Sequence, residues 1–494
     1  MELGRLARTA ARLHPLQIAM RGPHELVSYA IQGVSGASAP RAIESWPRVP
    51  AALRDLANGE RARATRRLAR LPAGSRLRAF ESCYGLELGA DNEASWGDWH
   101  ARVAIEPYPA SVRARRIAVA MRNGRVGLSS ELARAARAVL LQPELHLLGN
   151  HLLENGFALG CAGAVTHGAE ADLWWNVSKQ LLAWQLPQQF LADGGHVERS
   201  ASYHVALTAA LLELVELAEA SGRRAPHLWL ELARRALGWT MAARAPDGTY
   251  PLFNDAALDA APALDDVMAA GKALGFAMDP PARLAATGWE RLDVGDASLV
   301  IDAGPDADGW QPGHAHADGL TFELWVRGKR CVVDFGVESY EPGVAREETR
   351  ATRSHNTMEL DGGNSCEVWG AFRVGRRGRG RVMLRDERLG VARLELEHDG
   401  YAWRAGAPKH RRVMSLSPSC LEVHDRIVGG SDIHSGVSRL RLDASTSVRV
   451  TGDGEVSRRD GAWHAQLGVP QDAVVLEQNV PPDHDEGVRW RLEW

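Results

Sequence analysis

Two textures of apolar spacing divide the chain. Up to about residue 288, apolar side chains recur at three- and four-residue intervals, as in SSELARAARAVLLQPELHLLGNHLLENGFALGCAGAV and SYHVALTAALLELVELAEAS. That spacing gathers them on one helical face, and the abundance of alanine and leucine agrees. Proline and glycine interrupt the runs at intervals of roughly 20 to 40 residues, the punctuation of stacked helical hairpins. No exact repeat recurs, so a coded solenoid is not expected.

Beyond Gly288 the spacing changes to two. ASLVIDAG, TFELWVRGKRCVVDF, GRVMLRDERLGVARLELEH, HRRVMSLSPSCLEVHDRIVG and VSRLRLDASTSVRVTG alternate apolar with polar residues between glycine, aspartate and asparagine turns, which predicts antiparallel strands. Arg327-Gly328-Lys329, between two such runs, predicts a hairpin tip. Helices followed by strands predict two segregated units, all-α over residues 1–288 and antiparallel β over 289–494. A site shared by the two is expected where GHAHADGLTFELWVRGKRCVVDFG, residues 313–336, opens the β half.

Composition narrows the classes. A chain of 494 residues exceeds one ordinary core. Its net charge of −4 argues against nucleic acid as a partner. Nearly all basic residues are arginines, which suit fork-shaped binding of carboxylates, although genomic base composition produces the same bias. No apolar run is expected to span a membrane. The start, MELGRLARTAARLHPLQIAM, lacks a sustained apolar core and a small-residue cleavage site. Cys83, Cys161, Cys331, Cys366 and Cys420 are scattered and never paired as CxxC, which fits a reducing compartment without a thiolate metal site. A cytoplasmic location is expected, or a periplasmic one if the sequence extends upstream.

Three stretches could carry chemistry. In GNHLLENG, residues 149–156, Asn150, His151 and Glu154 can share one helical face; a capped surface helix reads the same way. DGGHVERSASYH, residues 193–204, brings Tyr203 to the mouth of an amphipathic helix. There it is either an aromatic with its hydroxyl in water, or a phenol whose pKa nearby cations lower for proton exchange. In GHAHADG, His314 and His316 would share one face of a strand, Asp334 lies across the expected hairpin, and His355 follows in RATRSHNTMELDGG. Two imidazoles and a carboxylate suit zinc; a hydrogen-bonded histidine cluster is the alternative.

Taken in order, NHLLENG, DGGHVERSASYH, GHAHADGLTFEL, VVDFG, RATRSHNTMELDGG and HRRVMSLSPSCLEVHDRIVG resemble the heparinase II/III family of polysaccharide lyases, over roughly residues 140 to 430. The resemblance implies an α+β multidomain chain, an incomplete (α/α) toroid followed by an antiparallel β-sandwich. It implies β-elimination across a uronic acid, leaving an unsaturated uronate end. Tyr203 and His314 would transfer the protons, and Asn150 and His151 would neutralise the substrate carboxylate. Glu154 joins them only if protonated or hydrogen-bonded. His316, Asp334 and His355 would hold a structural zinc, with Asp318 left to hairpin or outer hydrogen bonds. Two departures from the family pattern concern the substrate: LDGGNSCEVWG, residues 360–370, replaces a run to a glutamine, and FNDAALD, residues 253–259, only loosely matches a glycine-aspartate turn.

Trp174, Trp175 and Trp184 are a candidate sugar platform or helical core, with Trp175 the substrate-binding choice. Arg350 and Arg353 could meet a second carboxylate or lie on the surface. The expected partner is an anionic uronate-containing polysaccharide or oligosaccharide, with no nucleic acid and no membrane span; a homodimer is left open. Two rivals are a hydrolase with a catalytic zinc and a catalytically silent glycan-binding protein of the same fold.

Overall fold

The protein is described from a computed structural model over residues 2–21, 39–70, 106–307, 309–388, 390–430, 432–480 and 486–494. Cys83 lies outside the described residues; the other four cysteines are free and buried.

Helices dominate the first half. The runs expected to be helical form Ser129–Leu141, Gly149–Ala164 and Ala201–Ala220, joined by Pro107–Arg122, Ala169–Gln189, His227–Ala243 and Leu264–Ala273. Apolar spacing alone does not explain Ala201–Ala220, which is buried nearly all round. It is long and apolar enough to cross a membrane by length and composition, but 89% of that stretch is buried in the protein. A helix that is apolar all round belongs inside a large core. Charges buried nearby are paired: Arg115 donates to Glu154 at 2.8 Å and also binds Glu213, and Arg122 donates to Glu216 at 2.6 Å. Unpaired, each would cost several kcal/mol or so.

Two antiparallel sheets follow, of eight and six strands. Lys409–Ser417 alternates buried and half-buried residues along its whole length, as its period-two pattern requires. Leu299, Leu324, Leu394, Met414, Val423 and Trp490, drawn from both sheets, share one apolar layer. Strands Ala297–Asp302 and Phe322–Val326 are buried on both faces. Their second face, with Trp289, Val300 and Trp325, continues the core of the helical half. The hairpin tip falls at Arg327 (φ 50°) and Gly328 (φ 75°), a pair of left-handed residues that matches strand twist.

Polar bonds reinforce this junction. Asp193 accepts from the Thr287 backbone at 2.7 Å, and Trp325 Nε1 donates to Asp247 at 2.7 Å. The two halves therefore meet through a continuous core, which fixes the site that lies between them.

Candidate active site

The site begins at the N-terminus of helix Gly149–Ala164. Glu198 accepts from the Asn150 backbone at 2.8 Å, and the Asn150 side-chain amide donates to both Glu198 oxygens, at 3.1 and 2.9 Å. A carboxylate is favoured there by the helix dipole. Gly149, at φ 58°, makes room for it: a Cβ would stand 2.7 Å from Glu198 Oε1 and closer still to Gln311. Next along, His151 Nδ1 meets Glu144 at 2.9 Å and its ring lies 4.5 Å from Tyr108. Burial opposes its charged form, but Glu144 outweighs that and raises the His151 pKa.

Tyr203 comes from the first turn of helix Ala201–Ala220 and His314 from the β half. Their rings stack at 4.0 Å between centroids, inclined by 30°. His314 and His316 lie in a loop rather than on the expected strand. They still share a partner, because Asp255 takes His314 Nδ1 at 2.8 Å and His316 Nε2 at 2.9 Å. The second carboxylate oxygen and its neighbour also receive Arg346, one contact at 2.7 Å. Burial alone would raise the Asp255 carboxyl; Arg346 and the two imidazoles hold it well below the usual range. On its other side, His314 Nε2 faces Glu198 at 3.1 Å and the Asn150 amide at 3.2 Å. In the tautomer with Nδ1–H donated to Asp255, Nε2 would be left to act as a general base.

The Tyr203 hydroxyl pairs with that of Tyr340, which donates to the Asp255 backbone carbonyl at 3.3 Å. Sequence reading allowed cations to lower the Tyr203 pKa. The structure reverses this: burial, Tyr340, Asp255 and Glu198 push it well above the ordinary phenol value. Tyr203 carries its proton at neutral pH.

Three expected substrate contacts, Glu154, Trp175 and Arg350, are corrected. Glu154 is buried and bound to Arg115 at 2.8 Å, which removes it from any cleft. Trp175 is a core residue, packed edge-on against Trp229 at 5.4 Å. Arg350 is buried, and its bonds go to the carbonyls of Ala315, Gly370, Ala371 and Arg373. Arg353 lies half-exposed, paired with Glu348 at 2.6 Å. Glu198, Asp255, Tyr340 and Arg346 went unassigned in the sequence. Asp255 sits in the FNDAALD segment, where Asn254 adopts a left-handed φ of 57°. That asparagine accepts from the His316 backbone at 3.0 Å and turns Asp255 toward both histidines.

The metal expectation changes in one ligand. His316, Asp318 and His355 place their ligand atoms within 4.8 Å of one another, all buried. Among the described residues, His316 Nδ1, Asp318 Oδ2 and His355 Nε2 each lack a hydrogen-bond partner, a cost that a bound cation removes. Two imidazole nitrogens and a carboxylate oxygen fit zinc. Asp334 instead stands behind His355, each oxygen 3.0 Å from Nδ1, and also accepts from Thr321 at 2.9 Å. It would orient a ligand where it was expected to be one, and Asp318 stands in the buried cluster in its place.

Comparison with known proteins agrees with this architecture. The description "Heparinase II/III N-terminus" matches residues 132–274, and "Heparinase II/III-like, C-terminal" matches 278–487. The chain belongs to the heparinase II/III family. Among heparinase II/III relatives, a heparin-sulfate lyase of Bacteroides thetaiotaomicron is 32% identical over 117 residues, 22% of this chain and 17% of that protein. One from Bacteroides stercoris is 28% identical over 246 residues, 44% of this chain and 36% of that protein. The aligned segments thus span well under half of either relative. In structure, the chain is similar to a heparinase III (TM-score 0.63, 14% identity, 95% of this chain and 88% of that one). A heparan sulfate lyase from Pedobacter heparinus gives a TM-score of 0.57 at 16% identity, covering 96% and 88%.

Proposed function

We propose that this chain is a polysaccharide or oligosaccharide lyase that cleaves a uronic-acid-containing glycan by β-elimination. In this reading residues 1–288 form an incomplete (α/α) toroid and residues 289–494 a β-sandwich. The observation that carries the proposal is the stacking of Tyr203 on His314 at 4.0 Å, a phenol from the helical half against an imidazole from the sheet half. One pyranose can reach both, as removal of a C5 proton and protonation of O4 require.

The C5 proton is weakly acidic while the adjacent carboxylate is charged. His151, whose pKa is raised by Glu144 against the effect of burial, neutralises that carboxylate and the enolate-like charge that grows on it, and the Asn150 amide joins it where the substrate carboxylate replaces Glu198 as its acceptor. His314 Nε2 takes the C5 proton, with Asp255 holding the ring in the required tautomer. As the C4–C5 double bond forms, the C4–O4 bond breaks and Tyr203, protonated at neutral pH, delivers its proton to O4. Atoms balance: one proton leaves C5, one reaches the leaving oxygen.

His316, Asp318 and His355 would hold a structural zinc, which when bound supplies a fixed charge that ties the His316 loop to the His355 loop. The chain's own side chains do the proton transfer. Asp255 touches His316 and His314 alike, so order in the metal set supports order in the imidazole.

The test is incubation with alginate, heparan, hyaluronan and glucuronan fragments while following the ultraviolet absorbance of a conjugated uronate. Absorbance that rises with one of them is expected. Cleavage that leaves only saturated ends would instead favour a hydrolase.

A further inference from the structure

Hairpin Val368–Trp369/Arg373–Val374 carries an exposed aromatic at its tip. Phe372 is 45% exposed, and its ring lies 6.2 Å from the His314 ring, at 78°. A single exposed apolar side chain is ordinary. This one is held in place by two buried arginines.

Arg346 Nε donates to the Ala371 carbonyl at 2.8 Å, and its guanidinium sits 5.0 Å from the Phe372 ring. Its other nitrogens grip Asp255, the partner of His314. Arg350, 1% exposed, donates to Ala315 at 2.9 Å, Gly370 at 3.2 Å and Ala371 at 3.1 Å. Ala315 lies between the two site histidines, so one side chain clamps their loop to the hairpin tip. Burying a guanidinium on main-chain carbonyls alone is costly. Here it fixes the position of Phe372 against His314 from two directions, which is how a binding group is kept at its productive distance.

We propose that Phe372 is a sugar-stacking residue of the cleft, taking the apolar C–H face of the pyranose next to the bond that His314 and Tyr203 break. This rests on the lyase reading and adds a subsite to it. A pyranose is apolar on its faces and polar at its rim, so an aromatic face beside a polar cluster recognises the ring while the polar groups read its substituents. The half-exposed phenyl offers that face.

Phe372→Ala and Phe372→Tyr test this in the full chain, with thermal melting to establish that each folds. For a fragment that is cleaved, the alanine variant is expected to raise KM about five- to tenfold and the tyrosine variant to restore it. Direct binding to the same fragments is measured in a Tyr203→Phe background, where the alanine change is expected to weaken Kd by the same factor. An unchanged Kd, or no measurable binding of any fragment, overturns the subsite. Absence of unsaturated product from the wild-type chain with binding still dependent on Phe372 overturns the lyase reading and keeps the subsite.

Discussion

Asp255 Oδ2 lies 2.8 Å from His314 Nδ1, and its other oxygen lies 2.9 Å from His316 Nε2. One carboxylate, itself without solvent exposure, thus orients a proposed base and a proposed metal ligand. Arg346 is its counter-charge. Asp255→Asn should therefore fail twice. Loss of the acceptor for Nδ1–H lets the imidazole take the wrong tautomer, and kcat should fall at least about 100-fold. Arg346 is left as a buried charge with a weakened partner, at a cost of about 3 kcal/mol or more. Steady-state kinetics and thermal unfolding of the one variant check both. Activity near wild type would mean that His314 is held by something else.

Tyr203→Phe separates catalysis from binding. The substitution keeps the ring that stacks on His314 and deletes only the hydroxyl shared with Tyr340. If that hydroxyl protonates O4, turnover should drop by about 100- to 10,000-fold while glycan binding persists. A silent binding protein would have no turnover to lose, and retained turnover would remove the phenol from the reaction.

Metal content distinguishes the two aspartates. Asp318 Oδ2 has no partner among the described residues, while both Asp334 oxygens are engaged by His355. Asp318→Asn should abolish stoichiometric zinc, measured by elemental analysis after dialysis. Asp334→Asn should leave zinc bound with affinity weaker by about 10- to 100-fold, the usual effect of losing a partner that orients a ligand. Chelation should lower the melting temperature of the wild-type chain and shift Asp318→Asn little. If Asp334→Asn loses the metal and Asp318→Asn keeps it, the assignment is inverted.

These relationships differ in how far the sequence foretold them. Periodicity separated helices from strands because burial of one face leaves a spacing, and the Arg327-Gly328 turn was legible because few residues tolerate positive φ there. Tyr203, His314 and Asn150 were singled out by motif order, and the fold brings Tyr203 and Asn150 each within contact of His314. Glu198 and Asp255 went unassigned because a carboxylate that pairs across 48 or 59 residues leaves no local pattern. A clue existed all the same. Two histidines among apolar neighbours need acceptors, and Asn254-Asp255 is a turn pair able to supply one. Glu154 and Arg350 misled for the complementary reason: a charged residue inside a motif looks like a ligand until its partner, Arg115 in one case and main-chain carbonyls in the other, is seen.

His204 gives the last prediction, a pH dependence of stability set outside the proton-transfer pair. It follows Tyr203 in sequence but points into the helical core, 1% exposed. There its ring lies 4.2 Å from Trp239, with Nε2 3.1 Å from the Ala236 carbonyl. Burial pushes its pKa down from 6.5 to about 3. The facing groups are Phe190, Trp239, Thr208 and Thr240, none of them charged, and the one titratable neighbour that acts on its pKa is His196, which also lowers it. Between those two values the unfolded chain binds a proton that the folded chain refuses, so stability is complete above pH 6.5 and falls as the solution is acidified. From neutrality to pH 5 the loss from this one ring is about 2 kcal/mol. His196, pushed down to about 4 by burial, adds to the same slope. His204→Gln keeps an N–H donor for Ala236 and cannot titrate. Its melting temperature should therefore depend less steeply on pH than that of the wild type across this window. Parallel curves for the two proteins would show that His204 is protonated in the folded state or contributes nothing to acid unfolding.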